Sequence, residues 1–315
     1  MQRTKKPKTS KRSGTGNRPS VSESAAPSSL ATVKKTARDE EEPHLKMQSG
    51  DSFQASEPVK GSGEYGCYVY GIMVGDGLAS LGKTAIGGEV SDVFVVHHSE
   101  LRAIASKVTT TILDATRENA LAHEHVLERI MATRTIIPMS FGTIFRSEDD
   151  IRQMLKSIYP SLMEVLDRME GKIEFGLKVS WDRERVIETL KREKEEIRQF
   201  TAELAKKRLQ STYLARMQLG RMIEQALTER TAELVKDIYE SLRRVCVAST
   251  DNKPIGDKMI MNAAFLLERE KEGEFDKTVN QIAKRFGNRL SFQYSGPWPP
   301  YNFVNIRLKL EAAAR

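Results

Sequence analysis

The spacing of apolar positions divides the chain sharply near residue 65. Residues 1–63 carry only scattered apolar side chains among Ser, Lys, Pro and Gly. Such a segment buries too little to offset an ordering cost of about 1–2 kcal/mol per residue in the backbone alone, and is expected to be disordered. From Tyr65 the pattern changes. Tyr68, Val69, Tyr70, Ile72, Met73 and Val74 are dense in β-formers, and Gly75-Asp76-Gly77 ends the run, which predicts a strand. After a Gly/Ala-rich stretch, Val93-Phe94-Val95-Val96 reads as a second strand. Ser99 is then placed to cap a short helix carrying Leu101, Ile104 and Ala105.

A longer helix is predicted from Arg117 to Ala132, with Leu121, Val126, Leu127 and Ile130 toward the core. Ile136-Ile137-Pro138-Met139 follows as a strand that Pro138 places at a sheet edge or near its own end. Ser147-Glu148-Asp149-Asp150 is a strong helix start, a capping hydroxyl followed by carboxylates at the positive end of the dipole. Ile151, Met154, Leu155, Ile158, Leu162, Val165, Leu166 and Met169 keep helical spacing behind it, with a bend expected at Tyr159-Pro160. Gly171 closes the helix, and Ile173, Phe175, Leu177 and Val179 alternate as a strand. The fold class is therefore α+β. Helices on one face of a mainly antiparallel sheet, as in ferredoxin-like folds, satisfy this order over residues 64–181.

Residues 182–304 read as a second unit. From Asp182 to Val247 there is no proline, one glycine (Gly220) and a heavy load of Lys, Arg and Glu. Val186, Ile187, Leu190, Ile197, Phe200 and Leu204 mark one narrow apolar stripe. Leu214, Met217, Ile223, Leu227, Leu234, Ile238, Leu242 and Val245 mark another. The pattern predicts a helical hairpin or coiled-coil-like arm that breaks near Gln210 to Tyr213. Val245–Ser249 and Met259–Leu267 read as strands, Phe275 to Phe286 as a helix stopped by Gly287, and Leu290, Phe292 and Tyr294 as a last strand. Pro297-Trp298-Pro299-Pro300-Tyr301-Asn302-Phe303 makes a rigid aromatic segment, and 305–315 a polar tail.

Charge changes the picture only at the N-terminus. The net charge is +7, yet residues 1–38 hold ten Lys or Arg against Glu23 alone, and residues 39–64 hold two against seven acids. The basicity belongs to a tail rather than to a folded groove. A nucleic-acid reading therefore rests on that arm, where a solvated tail is the simpler account. No apolar run approaches the roughly 18 residues of a transmembrane helix, and no apolar stretch follows the basic start as in a secretory signal. With only Cys67 and Cys246 present, both beside strand-like residues, two buried reduced thiols and a cytosolic setting are expected.

The candidate chemistry is sparse. His123-Glu124-His125 invites a zinc reading, but residues two apart on a helix point about 200° apart and cannot share an ion. His97-His98 on a strand face opposite sides. Gly77-Leu78-Ala79-Ser80-Leu81-Gly82-Lys83-Thr84 is a formal phosphate-loop match, and the enzyme alternative is a nucleotide hydrolase using Lys83 and Thr84. Such a loop must run into a helix, and Gly87-Gly88 would cost about 2 kcal/mol there. No GxSxG elbow is present, and the abundant acids sit in helical charge patterns. No catalytic residue, metal or cofactor is assigned.

Three segments together resemble the gas vesicle protein F/L family. They are YGCYVYGIM at 65–73, HEHVLERIMATRTIIPMSFGTIF at 123–145 and GPWPPYNFV at 296–304. In the second block His123, Val126, Leu127, Glu128, Arg134, Thr135, Pro138, Phe141, Gly142 and Thr143 occupy the family's places. In the third, Trp298, Pro300 and Tyr301 do. The resemblance covers Tyr65 to Val304 and implies a modified ferredoxin-like N-terminal domain followed by a domain with long helices. It also implies a minor, non-enzymatic component of gas vesicle assembly, partnered with the major shell protein and other accessory proteins and restraining aggregation during nucleation. For the motif residues, structural roles are the simpler reading: Arg134 pairing with Glu128 or capping a helix end, Phe141 in the core, Trp298 and Tyr301 pinning the C-terminus.

Overall fold

The computed structural model describes residues 33–35, 66–75, 81–206 and 213–304. Most of the expected disordered arm, the first half of the phosphate-loop match, the expected break at Gln210 and the 305–315 tail lie outside these residues. Within residues 1–63 only 33–35 are described. Val33–Lys35 forms a strand, β1.

Among the described residues, eleven strands form two sheets. The first is built from β2 (Gly66–Val74), β3 (Lys83–Ile86), β4 (Glu89–His98), β5 (Leu101–Val108) and β6 (Ile136–Pro138) in the order β3-β4-β5-β2-β6. The two-residue β7 (Ile144–Phe145) also pairs with β2. All these pairings are antiparallel. The helix expected after Ser99 is instead strand β5. Ser99 takes φ +52° in the tight turn joining β4 to β5. Leu101, Ala103 and Ala105 project to one face of the sheet and Ile104 and Val108 to the other, which removes the one-sided stripe a helix would need.

Helices cover both faces of this sheet, not one. Tyr68, Tyr70, Met73 and Ile104 pack with Val126, Leu127, Ile130 and Met131 of α1 (Arg117–Met131). Cys67, Val69, Ile72, Val96 and Leu101 pack with α2 (Glu148–Ser157) and α3 (Tyr159–Met169). A central strand buried on both sides reads as an unbroken apolar run, and eight of the nine residues of β2 are buried. Close packing also explains Gly71. A Cβ there would meet the Ile137 carbonyl oxygen at 2.7 Å. The long helix predicted from 147 divides at Ile158, with Pro160 in the first turn of α3. Ser147 caps α2 by accepting from the Asp150 amide.

The second sheet has the order β1-β11-β8-β10-β9, from β8 (Lys172–Trp181), β9 (Ala248–Asp251), β10 (Met259–Glu268), β11 (Leu290–Trp298) and β1. Pairings are antiparallel except β1 with β11. Strand β8, grouped by the sequence reading with the first half, is therefore the centre of the second sheet. Alternation alone reveals which face a strand buries but not which sheet receives it. Ile173, Phe175, Leu177 and Val179 pack under α7 (Glu272–Phe286), with Phe175 and Phe275 ring centroids 5.4 Å apart. Gly287 closes α7 with φ +56° and ψ −136°, outside the left-handed helical well expected of it. The predicted strand at 245–249 begins later, because Val245 still closes the last helical turn by donating to the Leu242 carbonyl.

Among the described residues of the charged stretch there are three helices: α4 (Arg183–Glu193), α5 (Glu195–Lys206) and α6 (Tyr213–Leu242). The chain doubles back so that α4 and α5 lie against α6. Leu190, Ile197, Ala226 and Leu227 form the apolar seam. Lys194–Glu229 (3.0 Å) and Arg230–Glu193 (2.9 Å) flank it, with Arg183–Glu224 nearby. Leu214 and Met217, counted in the inward stripe, are exposed at the start of α6. No helix among the described residues is long and apolar enough to cross a membrane.

Candidate functional site

The residues of the two motif blocks meet where α1, the 139–143 loop and the C-terminal segment come together. His123 faces inward from α1 and is buried, while His125 on the same helix is exposed. A polar chain runs through it. The Gly142 amide donates to the Tyr68 hydroxyl (3.3 Å), Tyr68 Oη lies 2.8 Å from His123 Nδ1, His123 Nε2 lies 3.1 Å from Tyr301 Oη, and Tyr301 donates to Glu124 Oε1 (3.1 Å). One tautomer of His123 fits the contacts with both tyrosines. Tyr301 spends its proton on the carboxylate, so it accepts from Nε2–H, and Nδ1 accepts from Tyr68. The imidazole stacks on Tyr70 (5.6 Å) and meets Phe141 edge-on (6.0 Å). Tyr70 in turn shares a hydrogen bond with Ser106 (2.8 Å).

A second polar anchor lies beside the first. Glu174 on β8 is 3% exposed and accepts from the Asn302 backbone amide at 2.7 Å and from the Asn302 side chain. The segment 299–304 is thus held to α1 through Tyr301 and to β8 through Asn302. Its turn is closed by Phe303 and Val304 amides donating to the Pro300 carbonyl. Trp298 is buried, its indole N–H on Ser295 Oγ at 3.1 Å.

Electrostatics keep these groups neutral. Burial pushes His123 down to about 3, against a bond to the Met139 carbonyl that works the other way. Burial raises Tyr68 far above its ordinary value, partly opposed by the Gly142 amide. Burial likewise raises Tyr301, with the Glu124 charge adding to it. Tyr70 rises to about 12 for the same first reason, opposed by hydroxyl bonds from Ser106 and Thr84. At neutral pH burial thus favours the uncharged form of all four side chains.

Of the residues singled out in the sequence, His123, Phe141, Gly142 and Tyr301 come together. Glu128 and Arg134 are exposed, on α1 and in the turn after it, and Pro138 is buried in β6 opposite Gly71. Trp298 and Pro300 are buried on either side of Pro299. The sequence reading missed Tyr68, Tyr70, Glu124, Glu174 and Asn302. Two tyrosines two apart on one strand face, and a carboxylate between Ile173 and Phe175, were the available signals.

The described part of the formal phosphate-loop match, residues 81–84, runs into a strand and not a helix. Lys83–Ile86 is a strand, turning at Gly87 and Gly88 with φ +71° and +83°. Lys83 lies 4.0 Å from Asp92 on the neighbouring strand, and Thr84 is buried against Tyr70. Among the described residues, no helix N-terminus directly follows Thr84 to complete a phosphate cradle. Cys67 is buried, Cys246 half-buried, and both are free thiols.

With this geometry in place, the kinship of the chain is clear. The sequence profile described as "Gas vesicle synthesis protein GvpL/GvpF" matches residues 66–305. Gas vesicle protein F1 of Halobacterium salinarum is 28% identical over 247 residues, 78% of this chain and 95% of that protein. Gas vesicle protein F of Dolichospermum flosaquae is 28% identical over 247 residues, 76% of this chain and 97% of its own. Gas vesicle protein L of a Streptomyces species is 25% identical over 259 residues, 76% and 92%. The crystal structure of GvpF from Anabaena sp. PCC7120 superposes with a TM-score of 0.69 at 24% identity, covering 78% of this chain and all of that one, and shows the same fold. The chain belongs to the GvpL/GvpF family of gas vesicle synthesis proteins.

Proposed function

We propose that this protein is a non-enzymatic assembly factor or minor component of the gas vesicle. In this reading it acts in the cytoplasm, binds the major shell protein and restrains its aggregation during nucleation, alongside other gas vesicle accessory proteins. The observation that carries the reading is the family match across the whole body from residue 66 to 305. The site chemistry supports it. The buried polar residues that the motifs place together are paired to one another and held neutral, which suits a rigid scaffold better than a reacting centre. A very apolar shell subunit needs cover before it assembles. The exposed Tyr213, Leu214 and Met217 at the start of α6 offer apolar surface on a polar helix.

Two measurements test this. Deletion of the gene should abolish or malform vesicles, and the purified chain mixed with shell protein should delay its light-scattering aggregation in proportion to the amount added. Normal buoyant cells after a clean deletion, or unchanged aggregation at equimolar chain, would remove the reading.

A further inference from the structure

The second sheet ends in a pairing that the family body does not supply. Strand β1 runs parallel to β11 in the register Val33↔Phe292, Lys34↔Gln293 and Lys35↔Tyr294. The family match begins only at residue 66. Relatives covered over 95% and 97% of their own length account for 78% and 76% of this chain. The covering strand therefore comes from outside the shared body.

Without it, β11 would be the edge, because its other neighbour is β8. A sheet edge presents unpaired backbone donors and acceptors, a template for another chain. Proteins blunt such edges with charge, proline, bulges, short strands or a covering segment. The opposite edge, β9, is already blunted, with four residues ending in Asp251. The nine residues of β11 carry no charged side chain. Pro297 and an irregularity in pairing between Ser295 and Trp298 protect its far end, but Leu290–Ser295 has neither. With β1 in place, the outermost strand becomes three residues, two of them lysine.

We propose that Val33–Lys35 is an intramolecular edge cover, occupying the main-chain groups of Phe292–Tyr294 that would otherwise pair with β11 of a second copy. The arrangement replaces a long uncharged edge with a short basic one. Tethering favours the chain's own strand, since pairing within one chain does not require bringing in a second molecule. The eight other Lys or Arg of residues 1–38 add like-charge repulsion between copies. The inference is independent of any shell-protein contact.

The test uses the full chain carrying Val33→Pro, Lys34→Pro and Lys35→Pro together, which removes every amide donor of β1. Hydrogen exchange of the Ser291–Ser295 amides that point away from β8 should quicken about tenfold, while those bonded to β8 stay protected. Sedimentation should show a monomeric parent chain, and association of the triple variant rising with concentration. Adding Gln293→Lys, a charge on the bared edge, should restore the monomer. Unchanged exchange would show that β1 covers nothing. Quickened exchange in a variant that stays monomeric would show that the edge does not self-pair. Association that persists with Gln293→Lys, or a parent chain already associated through β11, would equally overturn the proposal.

Discussion

His123 illustrates how much one side chain's position matters. Its ring is buried between Tyr68 and Tyr301, and burial lowers its pKa to about 3. In the unfolded chain an ordinary imidazole titrates near 6.5. The native state therefore binds fewer protons, and the stability this contributes is complete above about pH 6.5. It drains away as pH falls, by about 1.4 kcal/mol per unit down to about 3. His123→Gln keeps hydrogen-bonding groups at the site but cannot titrate. Denaturant midpoints measured from pH 8 to pH 4 should fall less steeply for it than for the parent, and parallel curves would contradict the burial argument. Tyr301→Phe removes the hydroxyl that links His123 to Glu124. It should cost about 1–3 kcal/mol in urea unfolding, because the buried chain loses the hydroxyl that joins the imidazole to the carboxylate.

At the scale of elements, two glycines in similar-looking runs have opposite value. Gly71 sits where β2 and β6 approach, and a methyl group there would lie 2.7 Å from a backbone oxygen that cannot give way. Gly71→Ala should destabilise by about 1–3 kcal/mol. Gly220 lies inside α6 with nothing within 4 Å of its missing Cβ. Gly220→Ala should stabilise by about 0.5–1 kcal/mol, since it removes only unfolded-state freedom. Thermal midpoints of the two variants should move in opposite directions. Elements with strong local signals stand where the sequence places them: α1, the Ser147-capped start of α2 and the α7 closed by Gly287. Strand β5 was misread because Ser99 and the alanines suit a helix start as well as a turn and a strand. Propensity yielded there to pairing with β2 and β4.

For the whole molecule, one apolar cluster joins residues of both sheets, from Tyr68 and Ile130 to Phe175 and Tyr294. The 299–304 segment adds polar ties to α1 and β8. The two halves should therefore unfold together. Both tryptophans, Trp181 and Trp298, belong to the second sheet, so their fluorescence reports that half alone while far-ultraviolet circular dichroism reports both. Coincident urea midpoints are expected. A fluorescence transition separated from the dichroism transition would show that the shared cluster does not couple them.

The linear chain by itself determined the α+β class, the limits of α1, the start of α2, the end of α7, the alternating strands and the family blocks around His123, Phe141 and Tyr301, because each rests on local spacing, caps or turn residues. Tertiary structure alone decided that β8 joins the second sheet, that helices cover both faces of the first, and that a strand from residues 33–35 lies on β11. It also decided that Glu174 and His123 are interior. The reason is physical: periodicity fixes which side of an element is apolar, whereas the partner that buries it is chosen by contacts between residues far apart in sequence, such as His123 with Tyr301 and Glu174 with Asn302.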